Sequence, residues 1–124
     1  MKVETQGVLL RMFIGESDQY RGMPLYHAIV LKIRELGMSG ATVLRGVEGF
    51  GAHSRIHTAN ILRLSQDLPI VIEVIDTEER IRRLVEYLDR MVPEGLLMTV
   101  EGVRIIRYAR TPGEGKGTPG QEKG

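Results

Sequence analysis

Between Gly40 and Asp76 the chain collects residue types suited to holding an anion. Gly46, Gly49 and Gly51 form one short corner, and His53, Arg55, His57 and Arg63 stand in the polar stretch after it. Glycine takes positive φ without a Cβ penalty and lets backbone amides approach a ligand closely, while imidazole and guanidinium add side-chain donors. Arg45, Arg55 and Arg63 offer planar forks that match phosphate and stay charged when buried. A purely architectural reading competes with this one: the glycines permit a bulge and a sharp exit from a strand, and the arginines pair with Glu48 or Asp67.

Other chemistries fit less well. His53 and His57 are four apart, the spacing that puts two imidazoles on one helix face, but a metal needs further ligands. The chain has no cysteine, and Glu48 and Asp67 stand at no diagnostic spacing. Metal binding is therefore not expected. Ser54 and Ser65 have histidines nearby but no nucleophile-elbow or Walker-type motif, so no catalytic residue is assigned. With a net charge of +1 there is no field for nucleic acid. No apolar run approaches the roughly 20 residues of a membrane helix, and a cytoplasmic address is the default expectation.

The elements that must position this stretch follow from periodicity. Val8, Leu10, Met12 and Ile14 alternate, with Leu9 and Phe13 between them, predicting a first strand from Gln6 to Ile14 that is mostly buried on both faces. After the turn-rich GESDQYRG, Pro24 opens a helix to about Leu36, with Leu25, Ile29, Ile33 and Leu36 inward, Leu31 on the wet face and Gly37 as the stop. A second strand is expected from Ala41 to about Phe50, and LPIVIEVI from Leu68 to Ile75 reads as a central strand buried on nearly both faces. Residues 54–65 fit helix or strand equally. Asp76 to Glu79 resembles a capping box for a second helix with Ile81, Leu84, Val85, Leu88 and Val92 inward and Glu79–Arg83 and Glu86–Arg90 pairs outward. Pro93, Glu94 and Gly95 end it. Leu97 to Tyr108 gives a last strand, or two with a bulge at Gly102, and 111–124 lacks apolar residues and reads as a disordered tail.

This order, strand, helix, strand, strand, helix, strand, predicts an α+β fold: one ferredoxin-like βαββαβ domain over residues 1–110, an antiparallel sheet with both helices on one face. An open sheet face with apolar residues predicts self-association.

The segments GESDQYRGMPLYHAIV, VLRGVEGFG, SRIH, ILRLSQDLPIVIEVID and MVPEGLLMTVEGVRIIRY resemble, in that order, the PII-like proteins grouped as domain of unknown function 190. The resemblance covers Val8 to Tyr108. It implies the fold of the nitrogen regulatory PII superfamily, a homotrimer with the open sheet faces along its axis, and a non-enzymatic signalling role. It further implies adenine nucleotides bound in clefts between subunits near Gly49, Phe50 and Gly51; on that basis we expect AMP or ADP as effector, with Arg55, His57 or Arg63 completing the pocket from the loop and Glu94 and Gly95 contributing across the boundary. Signalling PII proteins carry Thr-Gly-x-x-Gly-Asp-Gly-Lys before the last strand; here Pro93, Glu94 and Gly95 stand instead, which argues against their triphosphate site. The loop after Gly51 also lacks the tyrosine that PII proteins can have nucleotidylylated. Relatives encoded beside fluoride exporters imply a membrane ion transporter as a possible partner. A ligand-free interaction module acting on such a partner is the alternative.

Overall fold

Alternation along one long strand divides the molecule into a covered side and an uncovered one. The computed structural model describes residues 1–50 and 67–109. Within them the elements are β1 (Lys2–Gly15), β2 (Gln19–Tyr20), β3 (Met23–Pro24), α1 (Leu25–Glu35), β4 (Thr42–Arg45), β5 (Pro69–Asp76), α2 (Glu78–Met91) and β6 (Leu97–Tyr108). The main sheet is antiparallel in the order β4-β5-β1-β6, with β1 and β5 central, as a ferredoxin-like βαββαβ chain requires. Leu10, Met12 and Ile14 of β1 and Ile70, Ile72 and Val74 of β5 share one face. They pack with Leu25, Ile29 and Ile33 of α1 and Ile81, Leu84 and Leu88 of α2 into a single core.

The other face carries no helix. Here β1 presents Leu9, Arg11 and Phe13, β5 presents Val71, Glu73 and Ile75, and Leu44 and Leu97 lie toward the two edges. Ile75 is 47% exposed and Leu97 62%, which corrects the expectation that β5 is buried on nearly both faces. A charge row crosses the middle of this face: Arg11 donates from Nε to Glu73 Oε2 at 2.8 Å and from Nη1 to Glu101 Oε1 at 3.1 Å. The hydrogen bond to Glu73 foremost holds the guanidinium pKa above its ordinary value.

Helix ends follow capping chemistry, with one shift. Gly37, at φ +74, ends α1 as expected, and Leu31 is exposed on its outer side. For α2 the N-cap is Thr77, whose Oγ1 accepts from Arg80 N at 3.3 Å, and not Asp76. Asp76 is the buried last residue of β5, and it accepts from Ser39 N at 2.9 Å and from Thr77 N at 2.8 Å. Burial pushes its pKa up, but the amide bonds from Ser39 and Thr77, with Arg80 nearby, prevail and leave it below the ordinary carboxylate value. It thereby ties the loop after α1 to the start of α2.

Other expectations need correction. β1 starts at Lys2, four residues before the predicted Gln6, because Lys2 to Gly7 pair with Val103 to Tyr108. β4 stops at Arg45: Gly46 N still donates to Pro69 O at 2.8 Å, but proline has no N–H to return the bond and the ladder ends there. β6 runs without a bulge, Gly102 standing opposite Val8 in unbroken register. The turn-rich connection holds a miniature hairpin, β2 with β3, whose tip residues Arg21 and Gly22 both take positive φ. The Glu79–Arg83 pair forms at 3.7 Å, whereas Arg90 lies over the Tyr87 ring, 5.1 Å from its centroid, with no ion pair to Glu86. The readings made for residues 54–65 and for the tail lie outside the described residues.

Candidate site at the loop end of the sheet

One end of the sheet gathers the last residues of β1 and β4 and the first of β5 and β6, because Arg45 pairs with Ile70, Ile70 with Ile14, and Phe13 with Leu97. The glycine corner leaves β4 at this end. Gly46 and Gly49 have a local reason to be glycine: a Cβ would stand 2.8 Å from Pro69 Cγ at Gly46 and 3.0 Å at Gly49, whose φ is +155. The two glycines thus leave room for the Pro69 ring, a local packing reason for glycine at both positions. Phe50, next in line, is 70% exposed and does not plug the core.

Carboxylates surround the corner on the side of β1. Arg45 Nε lies 3.1 Å from Glu16 Oε2, so the arginine makes an ion pair as the architectural reading expected, but its partner is neither Glu48 nor Asp67. Asp67 Oδ1 accepts from Ser17 N at 3.0 Å, and Asp18 Oδ2 accepts from Gly15 N at 3.0 Å. A Cβ at Gly15 would come within 2.9 Å of Asp67 Oδ1. Gly15 therefore lets β1 end against two carboxylates that satisfy loop amides. Sequence reading took Glu16 and Asp18 as ordinary turn residues, and nothing in their spacing signals that Asp67 folds back onto them.

The remaining candidates divide in two. Gly51, Arg55, His57 and Arg63 lie outside the described residues, as does His53. Glu94 is exposed and Gly95 takes φ +86 in the turn before β6. That turn and the glycine corner share one end of the sheet but leave from opposite edges, β6 and β4. Three strand spacings of about 4.8 Å put these two edge strands about 14 Å apart. Among the described residues no cluster of three or more metal-ligating side chains occurs.

Residues 7–105 match the model of the DUF190 family, described as "Uncharacterized ACR". The chain belongs to this family. A UPF0166 protein of Aquifex aeolicus is 36% identical over 98 residues, covering 79% of this chain and 91% of that protein. A UPF0166 protein of Methanocaldococcus jannaschii is 30% identical over 99 residues, covering 80% and 91%. Among solved structures, CPII of Thiomonas intermedia K12, a nitrogen regulatory PII-like protein bound to ADP, AMP and bicarbonate, superposes with a TM-score of 0.60 at 14% identity, covering 86% of this chain and all of that one. The DUF190 chain therefore has the PII-like fold that its strand order describes.

Proposed function

We propose that this DUF190 protein is a non-enzymatic, cytoplasmic regulator that assembles as a homotrimer and binds a small adenine nucleotide, AMP or ADP, in clefts between subunits. The observation that carries this reading is the shared fold, since a solved protein with it holds ADP and AMP. The local geometry supports it. Gly49 and Phe50 leave one edge of the sheet while Glu94 and Gly95 leave the other, an arrangement that suits a pocket shared between two copies. Phe50 offers an exposed ring on which a base can stack, and the following loop supplies Gly51, Arg55, His57 and Arg63. The lack of a second glycine-rich phosphate loop at Pro93 to Gly95 favours a monophosphate or diphosphate over a triphosphate.

One observation favours the alternative, an interaction module without a small ligand: Gly46 and Gly49 are already accounted for by Pro69. Calorimetric titration with AMP, ADP, ATP and cyclic nucleotides separates the two. The nucleotide reading expects saturable binding that Arg55→Ala or Arg63→Ala weakens by about 1.5–3 kcal/mol, the worth of a charge-assisted bond to phosphate. Absence of heat from a folded, assembled protein would leave the interaction module, with a membrane ion transporter as the partner class to try first. Turnover of any nucleotide would overturn the non-enzymatic assignment.

A further inference from the structure

Beyond the pair Val8 with Asp76, β5 has ended and β1 continues with β6 alone, so Lys2 to Gly7 and Val103 to Tyr108 form a two-stranded arm that runs on past the four-stranded sheet. At about 3.3 Å per residue the arm reaches about 20 Å, and at its far end Ala109 N donates to Met1 O at 2.7 Å. Apolar side chains are exposed on both of its sides. Val3 shares the side of the open sheet face with the half-buried Val103 and Ile105, whereas Ile106 and Tyr108, the latter 73% exposed, stand on the other side with Lys2, Glu4 and Arg104. Val3, Ile106 and Tyr108 all lie at or beyond the pair of Glu4 with Ile106, so the exposed apolar surface of the arm gathers in its outer half.

The arm is also basic. Lys2, Arg104 and Arg107 stand against a single carboxylate, Glu4, which lies 3.4 Å from Lys2 and 3.7 Å from Arg104; among the described residues Arg107 makes no ion pair. Shape and charge together select the partner. A ribbon two strands wide with apolar side chains on opposite sides offers no single flat face to a folded protein, which would cover one side and leave the other wet. A contact on the open sheet face would likewise leave Ile106 and Tyr108 outside. A fluid interface reaches both sides at once. At the boundary between lipid headgroups and acyl chains, apolar side chains enter about 5–10 Å, two or three residues of a strand, while lysine and arginine stems lie along the apolar zone and keep their charges at the phosphates. Tyrosine favours that depth, its ring in the apolar zone and its hydroxyl in water. The unpaired backbone groups along the two outer edges of the ribbon stay hydrated there, as they would not in the bilayer core.

We propose that the outer half of the arm is a wedge for an anionic membrane surface: Val3, Ile106 and Tyr108 enter the lipid interface, and Lys2, Arg104 and Arg107 meet lipid phosphates. A cytoplasmic leaflet, with its anionic lipids, has the required sign. The contact needs neither the nucleotide nor the further copies of the chain proposed above. It lies at the end of the sheet opposite the glycine corner, because β1 runs from Lys2 in the arm to Gly15 beside Pro69.

Co-sedimentation of the full chain with vesicles tests it, using phosphatidylcholine alone and phosphatidylcholine mixed equally with phosphatidylglycerol, with circular dichroism as the check on folding. Binding is expected to the anionic vesicles and not to the neutral ones, and it should weaken with salt. Arg107→Glu is expected to lower the partition coefficient by on the order of tenfold and Ile106→Ser severalfold, whereas Arg82→Glu, the same charge change on the solvent side of α2, stays near wild type. The sequence has no tryptophan, so Tyr108→Trp puts a single fluorescent reporter on the arm. On anionic vesicles its emission should move to shorter wavelength and be quenched by lipids brominated in their acyl chains. No binding to the anionic vesicles, equal losses in Arg107→Glu and Arg82→Glu, or unshifted emission from vesicle-bound Tyr108→Trp would each overturn the wedge.

Discussion

The two faces of the sheet are built from alternate residues of the same strands, yet they answer to different constraints. On the covered face Leu10, Met12, Ile72 and Val74 are shielded from water by helices of their own chain, and the apolar alternation is unbroken. On the open face the pattern of Leu9, Phe13, Val71 and Ile75 is interrupted by Arg11 and Glu73, which satisfy each other at 2.8 Å. A face sealed within one chain can be uniformly apolar. The uncovered face instead carries charges that hydrogen-bond within the chain and keep it wettable.

Substitution of neighbours in β5 breaks this comparison most sharply. Ile72→Lys puts a charge at a position with no exposed surface and should cost more than about 4 kcal/mol, enough to lose the cooperative melt by circular dichroism. Val71→Lys, one residue away and facing out, should change stability by only about 1 kcal/mol while shifting the mass toward monomer by light scattering; equal loss of folding in both variants would contradict the two-face description.

Asp76→Ala should follow, costing about 1.5–3 kcal/mol in urea unfolding, because Ser39 N and Thr77 N lose their acceptor. Since the folded carboxyl pKa is depressed below 3.8, its contribution is fully present above that value and is lost as pH falls through the folded pKa. The gap between wild type and Asp76→Ala should therefore narrow on acidification below about pH 4. A gap independent of pH would assign the effect to packing.

Gly46→Ala comes next, at about 1–2 kcal/mol, since the added methyl meets Pro69 Cγ at 2.8 Å; Gly102→Ala, with nothing within 4 Å, should be neutral or slightly stabilising in the same urea assay. The smallest effect belongs to the solvent side of α2. Arg83→Ala removes an exposed pair to Glu79 and should change stability by less than about 0.5 kcal/mol in thermal melts, with what remains vanishing at high salt.

Where one side of an element is sealed by the chain's own core, its type was legible in the sequence: Val8 to Ile14, the stripe Leu25, Ile29 and Ile33, and Ile81, Leu84 and Leu88 all stand as their spacing predicts. Boundaries failed where a non-local contact decides them. Lys2 to Gly7 have too few apolar side chains to read as strand, and only pairing with Val103 to Tyr108 makes them one. β4 ends early because Gly46 meets Pro69, far along the chain, and a bulge was expected at Gly102 because a glycine on an exposed edge looks the same in sequence as one that is sterically required. For the candidate site, Gly49 and Phe50 could be named from the Gly-Phe-Gly motif, and Glu94 and Gly95 from their place before the last strand. That they stand at opposite edges could not, since edge placement is a property of the strand order.

The pairing of β1 with β6 also sets a condition on how the chain folds. The first strand forms its longest ladder with the last, Lys2 opposite Tyr108 and Phe13 opposite Leu97, so the most extensive contact joins the most distant segments. Contact order is correspondingly high, and closing so long a loop precedes the gain from the ladder. During synthesis β1 can pair with β5 once Asp76 has left the ribosome, but its other edge stays unpaired until Tyr108 emerges. Through that interval an apolar strand edge stands open beside the nascent chain.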